Sequence, residues 1–170
     1  VTGITNFSPT AHAAYIGFNP PPSGITSVLA WRPLGYNPVA AGTPVIQFSA
    51  DISIVDTTNG QRDDFLILIY NTQGLLLGGI SFYNRNQRVY RYDGTGQAGF
   101  FDVAGFARST RYSFIATIDF AANRWSATLG GVALFTNQPL TGIAGRALTL
   151  GDIDVLWGIQ TPGSPGDNFM

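Results

Sequence analysis

The chain has 170 residues and contains no glutamate, no lysine and no cysteine. Its ionic groups are ten Asp, nine Arg and a single His12, so charged residues make up 11% of the chain. Each absence excludes something. Without Glu and Lys, the usual fillers of exposed helix faces are missing, which argues against a helical protein. Without Cys there is no disulfide scaffold, no thiol nucleophile and no Cys-based zinc site. One His cannot make a His cluster for zinc. As a base for a nucleophile His12 is a poor candidate, since a lone His between alanines near the N-terminus is most often structural or exposed, and no Ser lies in Gly-x-Ser-x-Gly. The net charge of −1 lacks the basic footprint of nucleic-acid binding. No run approaches the 18 or more apolar residues of a membrane-spanning helix.

What is present is apolar, glycine-rich and aromatic: 45% hydrophobic residues, 21 Gly and 13% aromatics. That composition supports a folded domain with a real core. Period-two alternation dominates. In Val45–Val55, the side chains of Ile46, Phe48, Ala50, Ile52 and Ile54 alternate with Gln47, Ser49, Asp51 and Ser53. This predicts a half-buried antiparallel strand, followed by a hairpin dipeptide at Asn59-Gly60. Phe65–Tyr70 is apolar on both faces and predicts a central strand. Further strands are expected at Ala13–Phe18, Val28–Leu34, Leu75–Tyr83, Gln87–Tyr92, Arg111–Phe120, Arg124–Leu129 and Val132–Phe135. Ala147–Ile159 reads as a strand pair or one bent strand. The expected fold is an all-β, two-sheet antiparallel jelly-roll β-sandwich of about ten to twelve strands with no substantial helix. Residues 13–170 form the sandwich, and residues 1–12 form an N-terminal segment that serves as an edge or exchanged strand. Trp31, Trp125 and Trp157 lie in apolar strand patterns and are expected in the core.

The stretch Asp119-Phe120-Ala121-Ala122-Asn123-Arg124-Trp125-Ser126-Ala127-Thr128-Leu129-Gly130-Gly131 resembles the hairpin of concanavalin A-like (laminin G-like) jelly rolls. Asn59–Phe65, Gly151–Asp154 and Pro162–Met170 look like segments of bacterial exported members of that superfamily. The resemblance covers Ala13 to Met170. It implies the sandwich fold, but hardly a function, because the superfold hosts lectins, glycosidases and adhesion modules. Glycosidases of this superfold depend on a Glu-x-Asp-x-x-Glu pattern, which a chain without Glu does not contain. The tail departs from the pattern by stopping where a final strand usually follows.

The remaining candidates follow from residue chemistry. Arg88, Tyr90 and Tyr92 share one strand face, opposite Val89 and Arg91, and with Tyr83 they suit stacking and hydrogen bonding to a glycan. The same residues also suit cross-strand Tyr–Arg pairing on a solvent face. Three of the nine arginines lie between Arg85 and Arg91, which favours an acidic glycan. Asp152 and Asp154 share a face about 6.6 Å apart along the strand, a spacing that overlaps that of catalytic carboxylates. Turn capping explains them as well. Calcium is the one metal whose hard-oxygen preference the residue types suit, with Asp63, Asp64, Asp152 and Asp154 as candidate ligands. Asp-Arg pairing accounts for the same residues. Otherwise no cofactor is expected.

An open sheet edge without guarding lysines would invite strand addition, with Val1, Ile4, Phe7 and Phe169 as candidate assembly residues. The chain starts at Val1 rather than Met, which suits an exported protein whose signal has been removed, extracellular or on a bacterial surface. The leading expectation is a non-catalytic extracellular structural or adhesion protein that self-associates, as a subunit of a filament or surface assembly built by strand exchange. The alternative is a carbohydrate-binding module or lectin. No nucleic-acid partner or membrane insertion is expected.

Overall fold

The computed structural model describes the backbone of residues 2–8, 11–17 and 23–170, and the side chains of 14–17, 23–96 and 99–170. Strands β1 (Thr2–Ser8) and β2 (Ala11–Ile16) pair antiparallel as a separate two-stranded sheet. The other strands are β3 (Ser27–Tyr36), β4 (Val45–Ile52), β5 (Asp64–Tyr70), β6 (Leu76–Tyr83), β7 (Arg88–Tyr92), β8 (Phe100–Gly105), β9 (Tyr112–Asp119), β10 (Arg124–Leu129), β11 (Val132–Pro139) and β12 (Leu150–Gly158). The one helical element among the described residues is the short 3-10 turn Gly96–Gly99. Two antiparallel sheets form the body: four strands in the order β11-β10-β9-β4, and six in the order β3-β12-β5-β6-β7-β8.

The core lies between these sheets because each strand turns its apolar alternates inward. The four-stranded sheet contributes Phe114, Ala116, Ile118, Trp125, Ala127 and Leu134; the six-stranded sheet contributes Phe65, Ile67, Ile69, Ile80, Phe82, Val89 and Trp157. Ile46, Phe48 and Ala50 of β4 pack against this cluster, as the alternation requires. The buried Trp125 indole donates to the Pro139 carbonyl at 3.1 Å, satisfying its one polar atom. Gly130 and Gly131, at φ 58° and 80°, make the two-residue turn between β10 and β11, with both residues in the left-handed region such a hairpin requires.

Two expectations are corrected. Trp31 is not in the core: it is 62% exposed, because its register opposite Asp154 puts it on the face of the six-stranded sheet turned away from the other sheet. Asn59-Gly60 does not close a hairpin. Gly60 has the expected φ of 80°, but β4 and β5 belong to different sheets, so the turn sits in a crossing loop. β8 is an additional strand that the sequence pattern did not reveal, since Phe100-Phe101 breaks simple alternation and a bulge follows between Asp102 and Ala104, opposite Val89 and Tyr90. Of the two forms expected for the late apolar stretch, the structure has the single strand, β12.

The N-terminal segment pairs with β2 of its own chain. Ile4 and Phe7 lie on β1, and Val1 lies outside the described residues. Phe169 bridges Gly17 and Val55, and its ring meets that of Tyr15 edge-on at 6.3 Å. The tail is further seated by Asp167, whose carboxylate accepts from the Thr58 amide at 2.7 Å and from the hydroxyls of Thr57 and Thr58.

Candidate functional site

The six-stranded sheet has a second face, turned away from the core, and pairing register fixes which residues share it. One row across the strands reads Trp31, Asp154, Leu68, Gly79, Tyr92 and Phe100. The next reads Leu29, Leu156, Leu66, Ser81, Tyr90 and Asp102. Pro33, Asp152 and Tyr70 flank the first row, and Asp64, Tyr83 and Arg88 flank the second.

The β7–β8 half is an aromatic cluster. Tyr90 stacks on Phe100 at 4.6 Å, while Tyr83 and Tyr92 meet Phe100 edge-on at 5.6 and 4.3 Å. Tyr83 and Tyr90 lie 5.0 Å apart. Arg88 grips Asp102 through Nε at 3.0 Å to both carboxylate oxygens and through Nη2 at 2.5 Å. The Tyr90 hydroxyl accepts from the Asn86 amide at 3.2 Å. Burial pushes the Tyr92 phenol up to about 12, so it stays a neutral hydrogen-bonding group. The structure thus brings together Tyr83, Arg88, Tyr90 and Tyr92, as expected, and adds Phe100 and Asp102. Arg91 points the opposite way. It is 4% exposed, with its guanidinium 4.2 Å from the Phe101 ring centre and a hydrogen bond to the Pro139 carbonyl.

The β3–β12–β5 half is acidic and apolar. Trp31 stands beside Asp154 as its cross-strand partner, and such partners have Cβ atoms about 5 Å apart. Asp154 is 7% exposed, and Oδ1 of Asp154 and Oδ1 of Asp152 are buried with no hydrogen-bond donor. Burial pushes the Asp154 carboxyl up to about 6, and the charge and contact of Asp152 add to the shift. Tyr70 is raised by burial first, then by Asp154 and Asp152, so these three groups form one cluster. A bulge between Leu150 and Asp152 sets the register that turns both carboxylates outward. Gly151 makes the bulge close-fitting, since a Cβ there would lie 2.1 Å from the Asn71 carbonyl oxygen.

Asp63 and Asp64 are elsewhere, six residues from Tyr70 along β5 in the case of Asp64, about 20 Å. Asp63 is fully occupied within the fold: it accepts from the Trp157 indole at 3.0 Å, the Gln160 amide at 3.0 Å and the Gly166 amide at 2.8 Å. Asp64 accepts from the Asn84 amide at 2.8 Å and the Gln160 side chain at 2.6 Å, and burial raises its carboxyl to about 6. The four candidate calcium ligands are therefore not brought together. Among the described residues no group of three or more acidic, His or Cys side chains is placed to hold a metal.

No family model and no curated protein matches the chain. Solved structures do. A sialidase superposes with a TM-score of 0.62 at 10% identity over 89% of this chain, which spans 12% of the sialidase chain. A tetrameric galectin from the ball sponge Cinachyrella sp. superposes with a TM-score of 0.55 at 6% identity, over 84% of this chain and 98% of that one. The fold is a jelly-roll β-sandwich of the concanavalin A-like type, as the sequence resemblance implied. Among the described residues no helix is long and apolar enough to cross a membrane.

Proposed function

We propose that this chain is a non-catalytic carbohydrate-binding domain that holds a glycan chain across the outer face of its six-stranded sheet. The observation that carries this reading is the composition of that face. An exposed Trp31 at one margin and the Tyr83/Tyr90/Tyr92/Phe100 cluster at the other supply flat rings for sugar faces. Asp152, Asp154, Tyr70, Arg88 and Asp102 supply the few polar groups that orient hydroxyls. The fold shared with a galectin over nearly all of that chain supports a self-contained binding domain. A role outside the cell or on its surface fits this reading.

The test is a glycan array followed by calorimetry on the wild type, Trp31→Ala and Tyr90→Ala. Loss of one stacking ring is expected to weaken binding by about tenfold, the equivalent of one good aromatic contact. No sugar signal, or affinities unmoved by both substitutions, would sink the idea. Hydrolysis of a polysaccharide that survives repurification and disappears in Asp152→Asn would instead make the chain an enzyme.

A second reading, a self-associating structural or adhesion subunit, draws on β3. Among the described residues this strand pairs with β12 alone, and it exposes Leu29, Trp31 and Leu34. An apolar margin of this kind suits strand addition. Light scattering across a concentration series decides it: a compact 18.2 kDa monomer at every concentration removes the subunit.

A further inference from the structure

The geometry points to a protonated amine as the group bound by Asp152 and Asp154, and therefore to a de-N-acetylated amino sugar as the unit seated against Trp31. This rests on the carbohydrate-binding reading and specifies the ligand of one half of that face.

Two carboxylates lie side by side on β12, both outward, and each keeps one buried oxygen with no donor. A buried acceptor without a partner is costly, and the pair has two ways to relieve it: a proton held between the two carboxyls, which are in contact, or a donor from outside the chain that displaces it. Of the side chains around the pair, Trp31, Pro33 and Leu29 on β3, Tyr70, Leu68 and Leu66 on β5, and Leu156 on β12, those able to donate are the Trp31 indole and the Tyr70 hydroxyl, and neither bonds the two buried oxygens. An ammonium offers three donors and no acceptor, together with the opposite charge. Trp31, 62% exposed and directly across from Asp154, offers a ring face that attracts a cation and stacks on a pyranose. An amino sugar presents both features in one ring. Calcium fits poorly, because it asks for six to eight oxygens, whereas apolar side chains close most sides of this pair and the strand carbonyls are engaged in sheet pairing.

The test compares calorimetric affinities of the intact protein for three oligosaccharides of equal length: glucosamine, N-acetylglucosamine and glucose oligomers. The glucosamine oligomer is expected to bind tightest. Asp152→Asn with Asp154→Asn, a nearly isosteric change, is expected to weaken it by about tenfold or more, the effect of losing charge-assisted hydrogen bonds. The neutral oligomers should lose much less, so that the preference for the glucosamine oligomer disappears in the double variant. Asp119→Asn, on the other sheet, controls for general attraction of a polycation and should leave binding unchanged. Equal affinity for acetylated and deacetylated oligomers overturns the inference while leaving the sheet-face reading intact. So does equal loss in the Asp119 variant, displacement by low calcium, or tighter binding of a lysine oligomer. If none of the three sugars binds, both readings fall together.

Discussion

The Trp157 indole donates to Asp63 at 3.0 Å, both groups being buried, and this contact ties β12 to the start of β5. Asp63 also gathers two backbone amides and donates its own N–H to Asn168 Oδ1 at 3.0 Å, so one side chain fastens the C-terminal tail to the sheet. Replacing it with Ala would strand those donors. Asp63→Ala is therefore expected to cost about 2–4 kcal/mol, and Trp157→Phe, which frees a single acceptor, clearly less. Urea unfolding curves of the two variants would show the ranking, and an Asp63→Ala protein as stable as wild type would contradict it.

Arg91 is buried against Phe101 and Phe135, and burial lowers the pKa of its guanidinium. Its stem and flat head fill space that an apolar chain of similar length also fills. Arg91→Met is expected to leave stability within about 1 kcal/mol of wild type, whereas Arg91→Ala opens a void costing about 2–4 kcal/mol. Thermal unfolding of the pair would separate a packing role from an electrostatic one.

Stability should peak in mild acid. Asp64 and Asp154 titrate at about 6 in the folded chain against an ordinary 3.8, so the folded state holds more protons between these values. Stability therefore rises as pH falls through 6. Asp56 and Asp167 are lowered, chiefly by Arg62 and Thr57 respectively, so their contribution is complete above 3.8 and is lost as pH falls through their depressed values. The melting temperature should be highest near pH 5, lower at about pH 8 and lower again at about pH 3. Asp154→Asn should flatten the alkaline side of that curve; a melting profile that climbs steadily to pH 8 would refute the assignment.

Gly151 has no room for a methyl group, because a Cβ would press on the Asn71 carbonyl at 2.1 Å. Gly151→Ala is expected to cost about 1–3 kcal/mol through backbone displacement. It should also weaken any ligand held by Asp152 and Asp154, since the bulge that aims them would shift. Denaturant midpoints and a binding isotherm on the same sample test both effects.

Much of this was legible in the residues. Alternation placed Ile46, Phe48 and Ala50 inward, and it separated Arg88, Tyr90 and Tyr92 from Val89 and Arg91, because period two is a property of the strand itself. Trp31 was misread because Val28-Leu29-Ala30-Trp31 is apolar on both strand faces, so the pattern marks a strand without saying which face turns to the core. Phe100 and Asp102 join the aromatic cluster through the pairing of β8 with β7, a strand that the adjacent Phe100 and Phe101 hide from any simple alternation. Asp152 and Asp154 were visible as a pair, whereas the Trp31 and Tyr70 beside them come from strands far away in sequence.

The row from Trp31 to Phe100 crosses six strands, a span of about 24 Å at the usual strand separation. No single sugar ring reaches from one margin to the other. A monosaccharide would engage the acidic end or the aromatic end, each weakly, while one polymer lying across the strands would engage both. Once the first end is held, the second meets its partner at high local concentration, and affinity should climb steeply at the chain length that bridges the gap. The breadth of the sheet thus acts as a ruler, favouring long glycans over their fragments.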